Sequence, residues 1–229
     1  MEYVKINSLW KRQGWYFEQD KKKSPDYQAG RQSFIIGDYA QEEFGSIKRW
    51  RVDEKVDGTN IRIFLDRSLE SPGNTQVRFG GRTGNAQIPC HLLDYLQSKF
   101  TPALIDGVFP VEKAASIILY GEGYGPKIQS AGANYRNEVG FMLFDIFIGG
   151  WWMERESVKS IAQALGIEMV PDLGVMNEEE IVEFVKSKPL SRCSFVPQMM
   201  EGIVARSHPL MLFRNGKPIM WKLKCKEFI

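Results

Sequence analysis

The stretch Glu54-Lys55-Val56-Asp57-Gly58-Thr59-Asn60 lies between two segments, 49–53 and 61–66, whose side chains alternate as they do in strands. This pattern predicts that the lysine lies on a turn between the strands. The glycine that follows allows the backbone to approach a ligand closely, so the turn suits a nucleophile. Asp-Gly is also a favoured two-residue hairpin connection, and the stretch by itself favours that simpler interpretation.

Length and composition predict a globular protein without a membrane anchor. The 229 residues are enough for one substantial core or two small domains, and a content of 43% hydrophobic and 25% charged residues is ordinary for a soluble chain. No apolar run has membrane-spanning length, and the first residues lack the apolar region of a signal peptide. Cys90, Cys193 and Cys225 have neither disulfide nor metal-ligand spacing, which predicts reduced thiols and a cytoplasmic location.

The charge distribution is more informative than the formal net charge of +2. Every charged side chain from residue 206 to residue 226 is basic, which suits phosphate binding, although lysines also protect exposed strand edges from aggregation. These residues are Arg206, Arg214, Lys217, Lys222, Lys224 and Lys226. Residues 1–46 are polar and predicted to be irregular, with an exposed loop at Lys21-Lys22-Lys23 and Ser24-Pro25.

Strands and helices are mixed without regular alternation, which predicts an α+β fold. Strands are predicted at 76–80, 116–122, 140–149, 201–206 and 219–224. Helices are predicted at 91–100, at 154–165 and after Asn177. Gly166 is expected to end the second helix, and Asn177 with Glu180 forms a capping-box pattern at the third.

The last two predicted strands contain a candidate phosphate site. A period of two puts Lys222 and Lys224 on one face, where they repel each other unless an anion binds between them; solvent exposure is the alternative. In the preceding strand the same alternation places Glu201 on the face of Ile203 and Arg206 on the opposite face.

Three further residues are candidates for binding or for packing. Arg82 lies between glycines, where it suits bidentate binding of a phosphate or is simply exposed on a turn. Glu122 lies among glycines that allow close access, but Pro126 follows, so this is not a dinucleotide-binding motif. Phe144 is either a core residue or a flat surface on which a base stacks.

In their order along the chain, these residues resemble the signature motifs of the covalent nucleotidyltransferase superfamily, the ATP-dependent DNA and RNA ligases and the RNA capping enzymes. The motifs are Lys55-Val56-Asp57-Gly58, Arg82 in Gly-Arg-Thr-Gly, Glu122 in Tyr-Gly-Glu-Gly, Phe144 in Phe-Asp-Ile, Glu201 in Glu-Gly-Ile-Val, and Lys222-Leu223-Lys224. Each motif alone is weak, but the whole set in the family's order and approximate spacing is a strong signal.

The chain looks most like RNA ligase 2-type enzymes of phage and bacteria, from Trp50 to Phe228. The resemblance implies one adenylation domain over 1–229, with antiparallel sheets flanked by helices and an ATP pocket between the sheets. Three departures from the family's pattern are also expected. The chain stops at Ile229 without a helical or OB-fold C-terminal domain, Gly81 precedes the motif arginine where a second base can occur, and Arg206 replaces a usual lysine.

The resemblance implies three phosphoryl-transfer steps. The Lys55 amine attacks the α-phosphorus of ATP, pyrophosphate leaves, and lysyl-AMP remains. AMP then passes to a 5′-phosphate end, and a 3′-hydroxyl displaces AMP to form the phosphodiester. A lysine with an unperturbed pKa of about 10.4 is almost entirely protonated at pH 7. The site must therefore lower that pKa or supply a proton acceptor.

By the same resemblance, Lys222 and Lys224 contact the α-phosphate, and Arg82 binds the nucleotide phosphate or the nucleic-acid end. Glu122 binds the ribose or a hydrated metal, and Phe144 stacks on adenine.

The remaining expectations concern the metal, the pocket and the partners. Glu201 is the candidate ligand of Mg²⁺ or Mn²⁺, since these ions prefer oxygen ligands. Glu54, Asn60 and Arg206 are expected to support the nucleotide pocket. The expected partner is RNA with 5′-phosphate and 3′-hydroxyl ends, as in RNA repair in a bacterial or phage-infected cell. A protein partner in place of the C-terminal domain stays open.

Other functions also stay open from the sequence. One is a minimal ligase for DNA or for DNA–RNA hybrid nicks. Another is a non-catalytic nucleotide- or nucleic-acid-binding module, although such a module has no need of the nucleophile Lys55. A capping-type guanylyltransferase fits least well.

Overall fold

A computed structural model describes residues 2–12, 34–66, 75–109 and 116–228. The chain forms two compact units. The first unit contains Met1–Val4, Val56–Pro171 and Ser191–Gln198, and the second contains Lys5–Lys55, Asp172–Leu190 and Met199–Ile229. The loop predicted at Lys21-Lys22-Lys23 and Ser24-Pro25 lies outside the described residues.

Strands and helices are mixed, as the α+β prediction requires. In chain order the strands are β1 (Asn7–Ser8), β2 (Trp10–Arg12), β3 (Phe34–Tyr39), β4 (Trp50–Lys55), β5 (Thr59–Asp66), β6 (Gln76–Gly81), β7 (Ser116–Tyr124), β8 (Gly140–Ile148), β9 (Trp151–Trp152), β10 (Glu168–Met169), β11 (Asp172–Met176), β12 (Gly202–Ser207) and β13 (Met220–Lys224). The α-helices are α1 (Cys90–Lys99), α2 (Pro102–Val108), α3 (Arg155–Leu165) and α4 (Glu178–Lys186).

The second unit contains a five-stranded sheet in the order β1-β13-β12-β4-β11 and a two-stranded pair of β2 with β3. The pairings are antiparallel except that of β1 with β13. One face of the larger sheet is apolar because Trp50, Ile203, Trp221 and Leu223 alternate with polar residues and pack into a buried core. The two tryptophan rings meet edge to face, with 5.3 Å between their centroids.

The first unit contains a six-stranded sheet in the order β10-β8-β7-β5-β6, with β9 beside β8. Its pairings are antiparallel except that of β8 with β10. Ile61 and Ile63 on β5 belong to a core cluster with Leu92 and Leu96 of α1 and Val158 of α3. The helices therefore cover this face, while the opposite face carries the polar residues of β5 and β7.

The longer predicted elements are confirmed. α3 ends at Gly166, whose φ of 60° lies in the left-handed region that favours glycine. Asn177 Oδ1 accepts a hydrogen bond from the backbone N–H of Glu180 at 2.9 Å, and the Glu180 carboxylate accepts one from the backbone N–H of Asn177 at 2.8 Å, so the predicted capping box is present. None of the described helices is long and apolar enough to cross a membrane.

The prediction of an irregular segment at 1–46 is wrong for the part that the structure describes. β1, β2 and β3 lie within it, and Leu9, Trp10 and Phe44 are buried in the core of the second unit. β1 and β2 have only two and three residues, which is too short for an alternating pattern to be recognised in the sequence.

The hairpin interpretation of Asp57-Gly58 is also wrong. β4 pairs with β11 and β12, whereas β5 pairs with β6 and β7, so the two strands that flank the stretch belong to different sheets. Lys55 is the last residue of β4 rather than a turn residue, and three residues connect it to β5.

Candidate active site

Three lysines lie on one face of the five-stranded sheet. Lys55 ends β4, and Lys222 and Lys224 lie on β13. On β12, which pairs with both strands, Gly202 is opposite both Lys55 and Lys224, and Val204 is opposite Lys222. Because cross-strand partners share a face, all three lysines are on the side away from the apolar core. This side is called the lysine face below.

Glu201 joins two of these lysines. Its Oε2 accepts a hydrogen bond from Lys55 Nζ at 2.6 Å, and its Oε1 lies 2.8 Å from Lys224 Nζ. The glutamate side chain is only 12% exposed, so these ion pairs are less screened than pairs on an open surface. The sequence-based placement of Glu201 on the face of Ile203 is wrong, because Glu201 precedes the first residue of β12 and the alternation of the strand does not extend to it.

The third lysine is held close to the other two positive charges. Burial lowers the pKa of Lys222 below the ordinary lysine value, and the charges of Lys55 and Lys224 lower it further. Glu201 contacts two of the three ammonium groups, and the charges of Glu227 and Glu201 partly offset the lowering at Lys222. The cluster of three lysines suits an anion such as a phosphate chain.

Arg206, which the sequence analysis placed in the pocket, also lies on the lysine face. It is the cross-strand partner of Arg51, whose Nη2 forms an ion pair with Asp172 at 2.8 Å. Asp53 lies on this face as well and is buried. Neither Arg51 nor Asp53 was predicted as a site residue, although their positions four and two residues before Lys55 would have placed them on the same side of a strand.

Glu54 lies on the opposite side of β4. Its cross-strand partner is Ile203, a core residue, and its side chain is 1% exposed. A role for Glu54 in a nucleotide pocket stays a prediction.

A close contact in the structure explains why position 58 requires glycine, and the sequence did not indicate this contact. A Cβ atom there would lie 2.3 Å from the carbonyl oxygen of Gly123 and 2.8 Å from Glu122 Cγ. Only glycine therefore allows the connection between β4 and β5 to pack against β7. The close backbone approach that the sequence predicted at Gly58 is therefore an approach to the backbone of Gly123.

Two predicted site residues are neighbours on the six-stranded sheet. Asn60 on β5 is the cross-strand partner of Glu122 on β7, and Glu122 is opposite Met142 on β8. Both predicted residues lie on the side away from the helices, which is called the polar face below. Asn60 Oδ1 is buried and has no hydrogen-bond partner among the described residues. A buried acceptor of this kind suits a donor from a ligand.

Phe144 lies at an irregularity in β8. The register with β7 passes from Tyr120 opposite Asp145 to Gly121 opposite Leu143, so Phe144 is the extra residue of a β-bulge. Its ring is half-buried and packs against the small apolar cluster that includes Met142. The ring thus contributes to packing and still keeps part of its surface exposed.

The structure brings the predicted residues together in two groups. Lys55, Glu201, Lys222 and Lys224 meet on the lysine face, with Arg206 further along it. On the six-stranded sheet, Asn60 and Glu122 are adjacent on the polar face, and Phe144 lies on β8. Arg82 is exposed in the turn after β6.

A metal ion at this site would depend on few protein donor atoms. The described residues contain no cluster of three or more histidine, cysteine, aspartate or glutamate side chains that would hold a metal by themselves. Mg²⁺ commonly binds one or two carboxylates and completes its shell with water and substrate phosphates. Each oxygen of Glu201 contacts a lysine, so the carboxylate fits this role best when one of the ammonium groups moves away.

Comparisons with known proteins identify the family of this chain. The model of the RNA ligase family matches residues 48–223, which is more than half of the chain. No curated protein matches this chain significantly. Among solved structures, Naegleria gruberi RNA ligase with PPi is 18% identical, with a TM-score of 0.54, covering 77% of this chain and 49% of that one. A variant of the same ligase with ATP and Mn is 17% identical, with a TM-score of 0.57 and coverages of 80% and 51%.

At such low identity the structural match shows a shared fold. This chain spans about half the length of the Naegleria ligases. The family match covers β4, β5, β12 and nearly all of β13, the strands that carry the lysine face and Asn60. The chain belongs to the RNA ligase family.

Proposed function

We propose that this protein is an ATP-dependent RNA ligase that carries AMP covalently on Lys55. In this proposal AMP is transferred to a 5′-phosphate end of RNA, and a 3′-hydroxyl then displaces AMP to seal the strand. The observation that carries the proposal is the position of the Lys55 amine in a group with Glu201, Lys222 and Lys224, within a chain of the RNA ligase family.

The first step requires Lys55 to lose a proton and to form a bond between Nζ and the α-phosphorus. The bond from that phosphorus to its bridging oxygen breaks, and the electron pair leaves with pyrophosphate. Glu201 Oε2, at 2.6 Å from Nζ, is within reach to accept the proton. Lys222 and Lys224 stabilise the negative charge that develops on the phosphate.

The residues of the six-stranded sheet are assigned to the nucleoside. Asn60 offers its buried, unpaired carbonyl oxygen to a donor group of the nucleotide. Glu122 accepts hydrogen bonds from the ribose hydroxyls, and the half-exposed ring of Phe144 stacks on the base. Arg82, on its exposed turn, binds a phosphate of the nucleotide or of the RNA end.

Glu201 is assigned a second role as a ligand of Mg²⁺ or Mn²⁺. Such an ion supplies charge neutralisation at the phosphates when it is bound. Because both oxygens of Glu201 hold lysines in this structure, the carboxylate is expected to exchange an ammonium partner for the ion when nucleotide binds.

A strand-joining assay tests the whole proposal. RNA with a 5′-phosphate at a nick is expected to be joined in the presence of ATP and Mg²⁺, and a 5′-hydroxyl nick is not. Lys55→Ala is expected to lose joining with ATP but to seal RNA that already carries AMP on its 5′-phosphate. Failure of the unaltered protein to join either substrate would overturn the proposal. Parallel DNA and hybrid nicks decide between an RNA ligase and the alternative ligases.

A further inference from the structure

The segment Glu2–Val4, which belongs to the part of the chain predicted to be irregular, lies on the polar face of the six-stranded sheet. The Tyr3 side chain is 6% exposed although it precedes every strand. Its ring centroid lies 5.0 Å from that of Tyr120 and 6.3 Å from that of Trp152. The Tyr3 hydroxyl donates a hydrogen bond to Asp145, whose side chain is also buried. Tyr3 is therefore fixed at both its ring and its hydroxyl.

Tyr3 also contacts the residue assigned to the nucleotide base. Its ring centroid lies 5.0 Å from that of Phe144, at an interplanar angle of 54°. Phe144 and Asp145 are consecutive residues, so in a regular strand they would point to opposite faces. The β-bulge at Phe144 explains why Tyr3 is able to contact both.

The same segment is tied to the turn that carries Arg82. The backbone N–H of Gly84 donates a hydrogen bond to Glu2 Oε1 at 2.9 Å. The segment Glu2–Val4 is consequently held by the turn after β6 through Glu2 and by β8 through Tyr3.

A stacking surface contributes more to affinity when its orientation is already fixed, since otherwise part of the binding free energy is spent on ordering it. Phe144 lacks a cross-strand partner on β7 at the bulge, and its ring has an exposed part. We propose that Tyr3 is a positioning residue for nucleotide recognition, which holds the Phe144 ring in the orientation that stacks on the base. This inference rests on the proposed function only in the assignment of Phe144 to the base.

Binding of ATP to proteins that carry Lys55→Ala tests the inference, because no covalent step then intervenes. Adding Tyr3→Leu is expected to raise the Kd of ATP about tenfold, as the loss of an ordered base–aromatic contact predicts. Inorganic triphosphate has no base, and its Kd is expected to stay within about twofold. A merely structural role would reduce the fraction of protein that binds either compound without separating the two constants.

Two further variants complete the test. Tyr3→Phe keeps the ring, loses only the hydrogen bond to Asp145, and is expected to raise the Kd of ATP about threefold. It decides the question if Tyr3→Leu fails to fold. Tyr39→Leu is the matched control, since the Tyr39 hydroxyl donates to Glu178 at 2.9 Å in the second unit, and it is expected to leave the Kd of ATP unchanged.

The outcomes separate this inference from the proposed function. An unchanged Kd of ATP in both Tyr3 variants, or an equal weakening of ATP and triphosphate, would overturn the role of Tyr3. Attachment of AMP is recorded in parallel on protein with native Lys55. If the Tyr3 variants lose affinity for ATP but not for triphosphate, and protein with native Lys55 attaches no AMP, the proposed ligase chemistry is overturned and the role of Tyr3 is retained.

Discussion

At the scale of single residues, the contacts of Glu201 explain how two lysines of the candidate active site are held together. Glu201 contacts Lys55 and Lys224 through separate oxygens, and these contacts put it within reach of the proton that Lys55 loses in the proposed first step. The motif order in the sequence identified this residue. Its two partners depend on the pairing of β12 with both neighbouring strands, which no local pattern reveals.

Glu201→Gln is expected to slow AMP attachment about 100-fold, the order of magnitude for losing a general base or a pre-positioned electrostatic contact. The amide cannot accept the proton from Lys55 or balance the lysine charges. The rate of AMP attachment measured by intact mass checks this. Glu183→Gln removes the exposed partner of Lys186 and serves as the control. A Glu201→Gln rate within threefold of the control would contradict the assignment.

Lys222→Gln is expected to raise the Tm at pH 7 by a few degrees at most, since it removes a partly buried charge beside two like charges. The pKa of Lys222 is lower in the folded than in the unfolded chain, so between those two values the unfolded chain binds more protons. The contribution of this lysine to stability therefore rises with pH through that window. The Tm difference between variant and parent should accordingly shrink as the pH approaches 10.5.

The exposed Lys217→Gln is the control for that experiment. A Tm difference that is independent of pH, or equal for both variants, would show that the charge of Lys222 does not destabilise the folded protein.

Cysteine reactivity gives a third test of single residues. Burial raises the pKa of Cys225 to about 11, so at pH 8 its thiol stays protonated and inert. Cys90 is exposed. Maleimide treatment of the native protein followed by peptide mass mapping should label Cys90 and leave Cys225 unlabelled until the protein is denatured. Equal labelling of both in the native state would contradict the buried position of Cys225.

At the scale of elements, the sequence predicted what periodicity and capping chemistry determine. The alternation of β12 and β13 and the capping box of α4 all follow from local rules. Local rules could not predict which strands pair, so they missed the separation of β4 and β5 into different sheets and the bulge at Phe144. The bulge is a property of the register between β7 and β8.

Gly58→Ala tests the packing of the connection between β4 and β5. Its Cβ would meet the backbone of β7 at 2.3 Å, an overpacking that is expected to cost about 1–3 kcal/mol. For a chain of this size we expect the Tm to fall by roughly 2–4 °C per kcal/mol. In Gly107→Ala, on α2, the added Cβ meets no atom within 4 Å, and this control should not lower the Tm. Equal Tm values for the two variants would show that the close approach is not needed.

At the scale of the whole molecule, the sequence predicted the family and the class of fold, both of which are confirmed. It did not predict that the chain forms two compact units or that residues near its start contribute to both. These properties depend on contacts between distant parts of the chain. The roles of the site residues and the domain assignment stay predictions.

The most direct test of the central claim is the intact mass of the protein after incubation with ATP and Mg²⁺. The protein is first treated with pyrophosphate to remove any AMP that it already carries. A gain of one AMP that is absent from Lys55→Ala, and that returns to the parent mass when pyrophosphate is added, is the result that this account predicts. No gain in the stripped protein, or the same gain in Lys55→Ala, would contradict it.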